Sequence, residues 1–153
     1  MAVSTVPALI DALVAQATEA LDVTVYDGLP DENETGDYLA IGVDDPANTS
    51  AVVSTSAQQT MATLGTNRPR DEVYNLTCVA STWNGDGDQK AARDAAYDIV
   101  EWVSSLLRGD TTLGIGQPGR VVLQIDTVEL YQNRTSDGAD VLIVFTIANK
   151  ARI

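Results

Sequence analysis

Three features of the sequence predict an α+β fold, a mainly antiparallel sheet with two helices packed on it. Apolar residues recur at three-to-four spacing in two stretches, around 6–21 and 88–108, whereas several others alternate apolar with polar. The alternating stretches fall in neighbouring pairs, the mark of hairpins rather than of strand-helix-strand crossovers. A chain of 153 residues also buries roughly 68 to 70% of the surface it exposes when unfolded, enough for a core without metal or disulfide staples. The expected order is α-β-β-β-β-α-β-β, in one domain spanning 1–153 and carrying a long protruding hairpin.

Each element has its own signal. Thr5 and Pro7 open the first helix, and Val6, Leu9, Ile10, Leu13, Val14, Ala17, Ala20 and Leu21 form its apolar stripe, which should lie on a sheet. Val23 and Val25 make a short strand that runs into an acidic loop over 27–37, broken by Gly28, Pro30 and Gly36. The next strand covers 38–43. The stretch 51–64 is rich in Val, Ser, Thr and Gln with a weak apolar face, which predicts an extended, partly exposed strand. A basic turn around Pro69 leads into 72–83, with Tyr74, Leu76, Cys78 and Ala80 on one face and Asn75, Thr77, Val79 and Ser81 on the other. These two strands are the long hairpin. Asp88 should cap the second helix, whose stripe includes Ala92, Ala96, Ile99, Val100, Val103 and Leu107, and Gly109 should stop it. Strands over 120–132 and 140–152 close the chain through 133–139, where Asp137-Gly138 is a turn signal.

Composition excludes more than it suggests. There is no histidine and one cysteine, which removes Ser-His-Asp and Cys-His catalysis, histidine metal sites, CxxC pairs and intrachain disulfides. Cys78 alternates with apolar residues and reads as a small buried hydrophobe. The chain has two Trp, five Tyr and one Phe, few aromatic platforms for a sugar site, so its paired carboxylates are weak candidates for glycoside hydrolysis. The expectation is no enzyme, no cofactor and no metal. The first residues lack Lys and Arg, and Asp11 and Glu19 interrupt the apolar stretch, so neither a secretory signal nor a membrane span is expected. The four Asn-x-Ser/Thr matches, at Asn33, Asn48, Asn75 and Asn133, carry no weight without secretion.

Charge is the strongest compositional signal. With 22 acidic and 9 basic side chains the formal charge is -13, which opposes gripping nucleic acid or an anionic membrane. Residues 1–67 hold ten acids and no base. Asp27, Asp31, Glu32, Glu34, Asp37, Asp44 and Asp45 concentrate this charge in loops. Arg68-Pro69-Arg70 is the one basic cluster, followed at once by Asp71 and Glu72. It is either a solvated turn or a contact point for an acidic patch on a neighbouring copy. Two motif-like spacings fail their tests. Gly114-Ile-Gly-Gln-Pro-Gly119 follows a helix and enters a strand, the reverse of a dinucleotide loop. Asn84, Asp86 and Asp88 have calcium-loop spacing, but Gln89 stands where glycine is required and Ala95 where a bidentate glutamate is required.

A series of segments then carries a resemblance. The opening helix 6–10, the hairpin segment 68–78, the helix start 85–93, the stretch 106–114 and the closing pieces 141–147 and 151–153 occur in the order and spacing of the tail-terminator proteins of long-tailed bacteriophages, particularly those infecting actinobacteria. The chain resembles that family over nearly its whole length. The resemblance implies an α+β subunit of a hexameric ring, located in the virion at the head-proximal end of the tail and assembled in the host cytoplasm. Such a ring caps the tail tube, ends its polymerisation and offers a docking surface for the neck. The implied partners are further copies of the chain, the major tail-tube protein and a head-tail connector or neck protein, with DNA passing through the bore unbound. A connector or stopper subunit of the neck shares this logic; outside the class stands a small acidic module that binds a ligand or cation. On the residues' own evidence Arg68, Arg70, Asp71 and Glu72 are the candidate subunit contacts, and the seven acids between 27 and 45 are candidate bore or loop residues.

Because the calcium spacing lacks its essential positions, thermal unfolding should be the same in submillimolar calcium and in chelator. A rise of several degrees with calcium would overturn the capping role given to Asp88 and its neighbours.

Overall fold

The three-to-four spacing at the start of the chain produces α1 (Val6–Ala20), which buries Leu9, Leu13 and Ala17 and places proline in its first turn, where a missing N–H is harmless. The computed structural model describes residues 3–30, 36–43, 55–61, 69–116 and 121–153. After α1 come β1 (Thr24–Asp27), β2 (Tyr38–Ile41), β3 (Thr55–Met61), β4 (Arg70–Asn84), α2 (Gln89–Gly109), β5 (Val121–Thr135) and β6 (Gly138–Arg152). The element order is the expected one. The segment 51–64 is described only over β3, and the turn at 62–68 lies outside the described residues.

All six strands join one sheet, in the order β1-β2-β4-β6-β5, with β3 also paired to β4. β4 is the central strand. One of its edges pairs antiparallel with β6 from Asp71↔Arg152 to Asn84↔Ala139. The other edge is divided, with β3 along Arg70–Leu76 and β2 along Cys78–Ser81. The long hairpin is therefore built into the sheet through its second strand. β1 and β2 pair in parallel, while the other pairings are antiparallel.

Both helices lie on one face of this sheet. The main core joins Leu9, Leu13 and Ala17 of α1 and Ile99, Val103 and Leu107 of α2 to Leu76 and Cys78 of β4 and Ile143, Phe145 and Ile147 of β6. Asp88 caps α2 as expected, its carboxylate accepting from the Ala91 N–H at 3.1 Å. The Thr82 hydroxyl donates to the Ala92 carbonyl and ties the first turn of α2 to the sheet.

The opposite face departs from expectation. Val79 and Ser81, assigned to the polar side of β4, are both buried. The reason is a second small core of Ala40, Val43, Val79 and Val144, with Tyr26, Tyr38 and Leu142 packed against it. The Tyr26 and Tyr38 rings meet edge to face, centroids 5.8 Å apart.

The closing hairpin is longer and tighter than the 133–139 connection suggested, since its strands pair up to Thr135↔Gly138. Gly138 has φ +150°, and a Cβ there would stand 2.5 Å from the Asn84 carbonyl oxygen and 2.7 Å from the Trp83 ring. No other residue fits without moving β4. A register shift between Ile125 and Val128 inserts one extra residue opposite Thr146. It moves the helix-side positions of β5 from Val121, Leu123 and Ile125 to Val128 and Leu130, so that Leu130 still packs on the core while Val128 remains exposed.

Leu13 and Val100 anchor the two helices, at 1% and 6% exposure. Leu13→Asp or Val100→Asp should each unfold the protein, since an unpaired buried charge costs several kcal/mol, comparable to the whole stability of such a domain. Glu101→Ala, on the exposed side of α2, should change stability by less than about 0.5 kcal/mol. Circular dichroism melts of the three variants check this, and a cooperatively folding Val100→Asp protein would refute the packing.

Candidate functional site

Of the two basic candidates, Arg70 stands at one end of the sheet, where β4 begins and β6 ends. Arg70 exchanges backbone hydrogen bonds with Ile153, at 2.8 and 2.9 Å. Arg152 stands opposite Asp71 and Lys150 opposite Val73. Three cations from distant parts of the sequence thus share one edge of the molecule, and antiparallel pairing is what gathers them. Arg68 lies outside the described residues. Asp71 is tied within the chain, its carboxylate accepting two bonds from the Arg152 guanidinium at 2.8 and 3.1 Å. Those bonds hold the Asp71 carboxyl below the usual carboxylate range.

Glu72 is not on the surface at all. Its side chain is fully covered, which corrects the expectation of a subunit contact there. One carboxylate oxygen accepts from the Thr5 N–H at 2.9 Å and from the Thr5 hydroxyl at 2.7 Å; the other accepts from the Gln59 amide at 2.9 Å. Thr5 precedes α1 and makes no side-chain cap of its own, so Glu72 caps this helix from across the fold, at the end where a negative charge is favoured. The Thr5 hydroxyl has spent its proton on Glu72; it accepts from the Tyr74 hydroxyl at 3.0 Å and from the Asn149 amide at 3.1 Å. Burial raises the Glu72 pKa, but hydrogen bonds from Ser4, Thr5 and Gln59 outweigh it and leave the carboxyl below its ordinary value. The sequence held the signal: Glu72 occupies the same parity as Tyr74, Leu76 and Cys78, the inward face of the strand.

The acidic candidates separate. Asp27 ends β1 and Asp37 precedes β2, where its carboxylate accepts from the Trp83 N–H at 2.9 Å. Asp31, Glu32, Glu34, Asp44 and Asp45 lie outside the described residues. Between the two described acids the chain lays Leu29 beside Tyr38, Ala40, Val43, Val79 and Leu142, around an open apolar pocket of about 170 Å³ on the helix-free face. Leu29 itself is 69% exposed.

Burial pushes the Cys78 thiol up to about 12, so it is no nucleophile at neutral pH. Among the described residues no three His, Cys, Asp or Glu side chains gather to hold a metal ion. In the calcium-like loop the Asn84 side-chain oxygen accepts from the N–H groups of Asp86 and Asp88, a turn that leads into the helix cap. Among the described residues no helix is long and apolar enough to cross a membrane.

No protein-family model matches the chain, and no curated protein matches it. Among solved structures, a chain from the virion of a native gene transfer agent particle shares the fold, with a TM-score of 0.62 at 18% sequence identity. The alignment covers 99% of this chain and 100% of that one, so the likeness extends over the entire fold.

Glu72→Gln should destabilise the protein by about 1–3 kcal/mol at neutral pH, because an amide cannot accept for all the donors aimed at the carboxylate. Since the folded pKa lies below the unfolded one, the stability due to ionised Glu72 is present above about pH 4.3 and is lost as pH falls through the folded pKa. The gap between wild type and Glu72→Gln should narrow as pH falls below that range. Urea melts from pH 7 to pH 3 measure it, and a pH-independent gap would refute the ionised clamp.

Proposed function

We propose that this protein is a structural subunit of a phage-like particle, the tail terminator that forms a ring on the tail tube, ends its polymerisation and presents a docking surface to the head. The observation that carries this reading is the end-to-end fold likeness to a chain of the gene transfer agent virion. The serial resemblance of segments along the sequence supports the finer assignment to the terminator.

Charge supports it as well. Six copies at -13 each bring -78 to a ring, and an acidic bore lets a polyanion pass by raising the cost of phosphate contact. In this reading Asp27, Asp37 and the other acids between 27 and 45 partly line the bore. A head-to-tail ring needs two different, complementary surfaces on each copy. The basic sheet end with Arg70 and the acidic loops form such a pair in this reading, and Arg68, two residues earlier in the sequence, is the other candidate cation. β3 supports an interface nearby: it is a polar edge strand, exposed at Ala57, Gln58, Thr60 and Met61, of the sort that a neighbouring chain covers.

Reversing both charges, Arg68→Glu with Arg70→Glu, should weaken ring formation while leaving the melting temperature within a few degrees of wild type. Raising salt should weaken the wild-type contact in the same direction, because exposed charges are screened over about 10 Å at 0.1 M. Light scattering and electron microscopy, with tail tubes added, read both association and capping. A double variant that assembles and caps as wild type does at every salt concentration would place the contact elsewhere.

A further inference from the structure

Two weakly anchored pieces of the chain meet at Glu72. β3 pairs by its backbone with β4 alone, and among the described residues none of its side chains joins either apolar cluster. A strand held in this way opens locally more readily than the core does. The start of α1 is the other piece: Val3 is 76% exposed, Thr5 offers no side-chain cap, and Leu9 is the first buried residue of the helix.

The bonds between them form a closed circuit. Gln59 stands directly opposite Glu72 in the pairing of β3 with β4. Its side-chain amide donates to the Glu72 carboxylate at 2.9 Å and to the Val3 carbonyl at 2.7 Å, which uses both of its N–H groups. From Val3 the chain leads to Thr5, whose N–H and hydroxyl return to the other oxygen of the same carboxylate. Glu72 is fully covered, so a donor lost from it is not replaced cheaply by water. When residues 3–5 move away, Gln59 loses one acceptor, and the carboxylate that orients it loses two donors. When β3 peels from β4, Val3 loses its donor and Glu72 loses another.

We propose that the first turn of α1 and β3 open and close together, with Glu72 as the group that couples them. The inference goes beyond the assembly reading and does not depend on it. Coupling is reciprocal, so a neighbour that covered β3, as the assembly reading has it, would also fix the start of α1.

Amide hydrogen exchange followed by mass spectrometry tests this on the full chain, at concentrations where light scattering shows no self-association. The peptides to compare cover 5–9, 55–61 and, as a core control, 141–147. Thr5→Val removes the hydroxyl from Glu72 without touching β3, and Gln59→Ala removes the amide without touching α1. Thr5→Val should speed exchange in 55–61 about tenfold, the scale of one lost hydrogen bond to a charged group, and Gln59→Ala should do the same in 5–9. Both should leave 141–147 at the wild-type rate, and Thr5→Ser should restore 55–61. Exchange in 55–61 that stays at the wild-type rate in Thr5→Val overturns the coupling. So does a rise shared equally by 141–147, which marks opening of the whole fold. If Thr5→Val does not fold, Gln59→Ala decides: a rise in 5–9 with an unchanged control supports the coupling, and wild-type exchange there overturns it. Each of these outcomes leaves the assembly reading where it stands, because none involves a second copy.

Discussion

The pairing of β4 with β6 is the interaction on which the rest of the structure depends. It runs without a break from Asp71↔Arg152 to Asn84↔Ala139, and it fixes which residues of both strands face the helices. Slipping the register by one residue would send Leu76 and Cys78 to the helix-free face and bring Asn75 and Thr77 into the core. The same alternation places the two polar groups that hold the helices. Glu72, near the start of β4, binds the residue before α1, and Thr82, near its end, binds the first turn of α2. They lie ten residues apart at positions of the same parity, so one strand sets the positions of both helices.

Much of this was legible in the sequence, because apolar periodicity reports directly on what a core wants. The stripes of both helices, the inward set Tyr74, Leu76, Cys78 and Ala80, and the Asp88 cap all emerge where local pattern and tertiary burial agree. The misreadings share a cause. Val79 and Ser81 sit on a face that alternation marks as outward, and they are buried because side chains of the neighbouring strands, with Tyr26, Tyr38 and Leu142, build a second small core there. Nothing local to β4 announces this. The parallel pairing of β1 with β2 was equally hidden, since strands of four residues carry no sign of direction. Glu72 was read by its charge and its neighbours Arg70 and Asp71, when its parity placed it inside. A buried carboxylate is expensive unless several donors converge on it, and its donors Thr5 and Gln59 are remote in sequence.

The candidate surfaces were legible in part for a similar reason. Charge asymmetry is a property of the sequence, so the acidic first part and the Arg68-Pro69-Arg70 cluster stood out at once. That Lys150 and Arg152 join the same edge follows only from pairing, which brings the last residues of the chain beside Arg70 to Val73. The apolar pocket was out of reach altogether. Its walls come from three strands and a loop, and each is ordinary alone.

These two kinds of surface divide the work of association between them. Chains of charge -13 repel one another at a distance, so a contact between copies must gather enough short-range attraction to overcome that repulsion. Burying an apolar side chain supplies attraction that salt does not screen and that does not depend on sign, but by itself it accepts any apolar guest. Opposite charges around it add less affinity than selectivity. With ten acids and no base in residues 1–67 and the described cations of one edge brought together by the sheet, a neighbour arriving by its acidic side meets carboxylate with carboxylate. One arriving by the end with Arg70 meets an opposite charge. In the proposed ring, apolar burial therefore sets how firmly copies hold, and the uneven charge sets which way round they join.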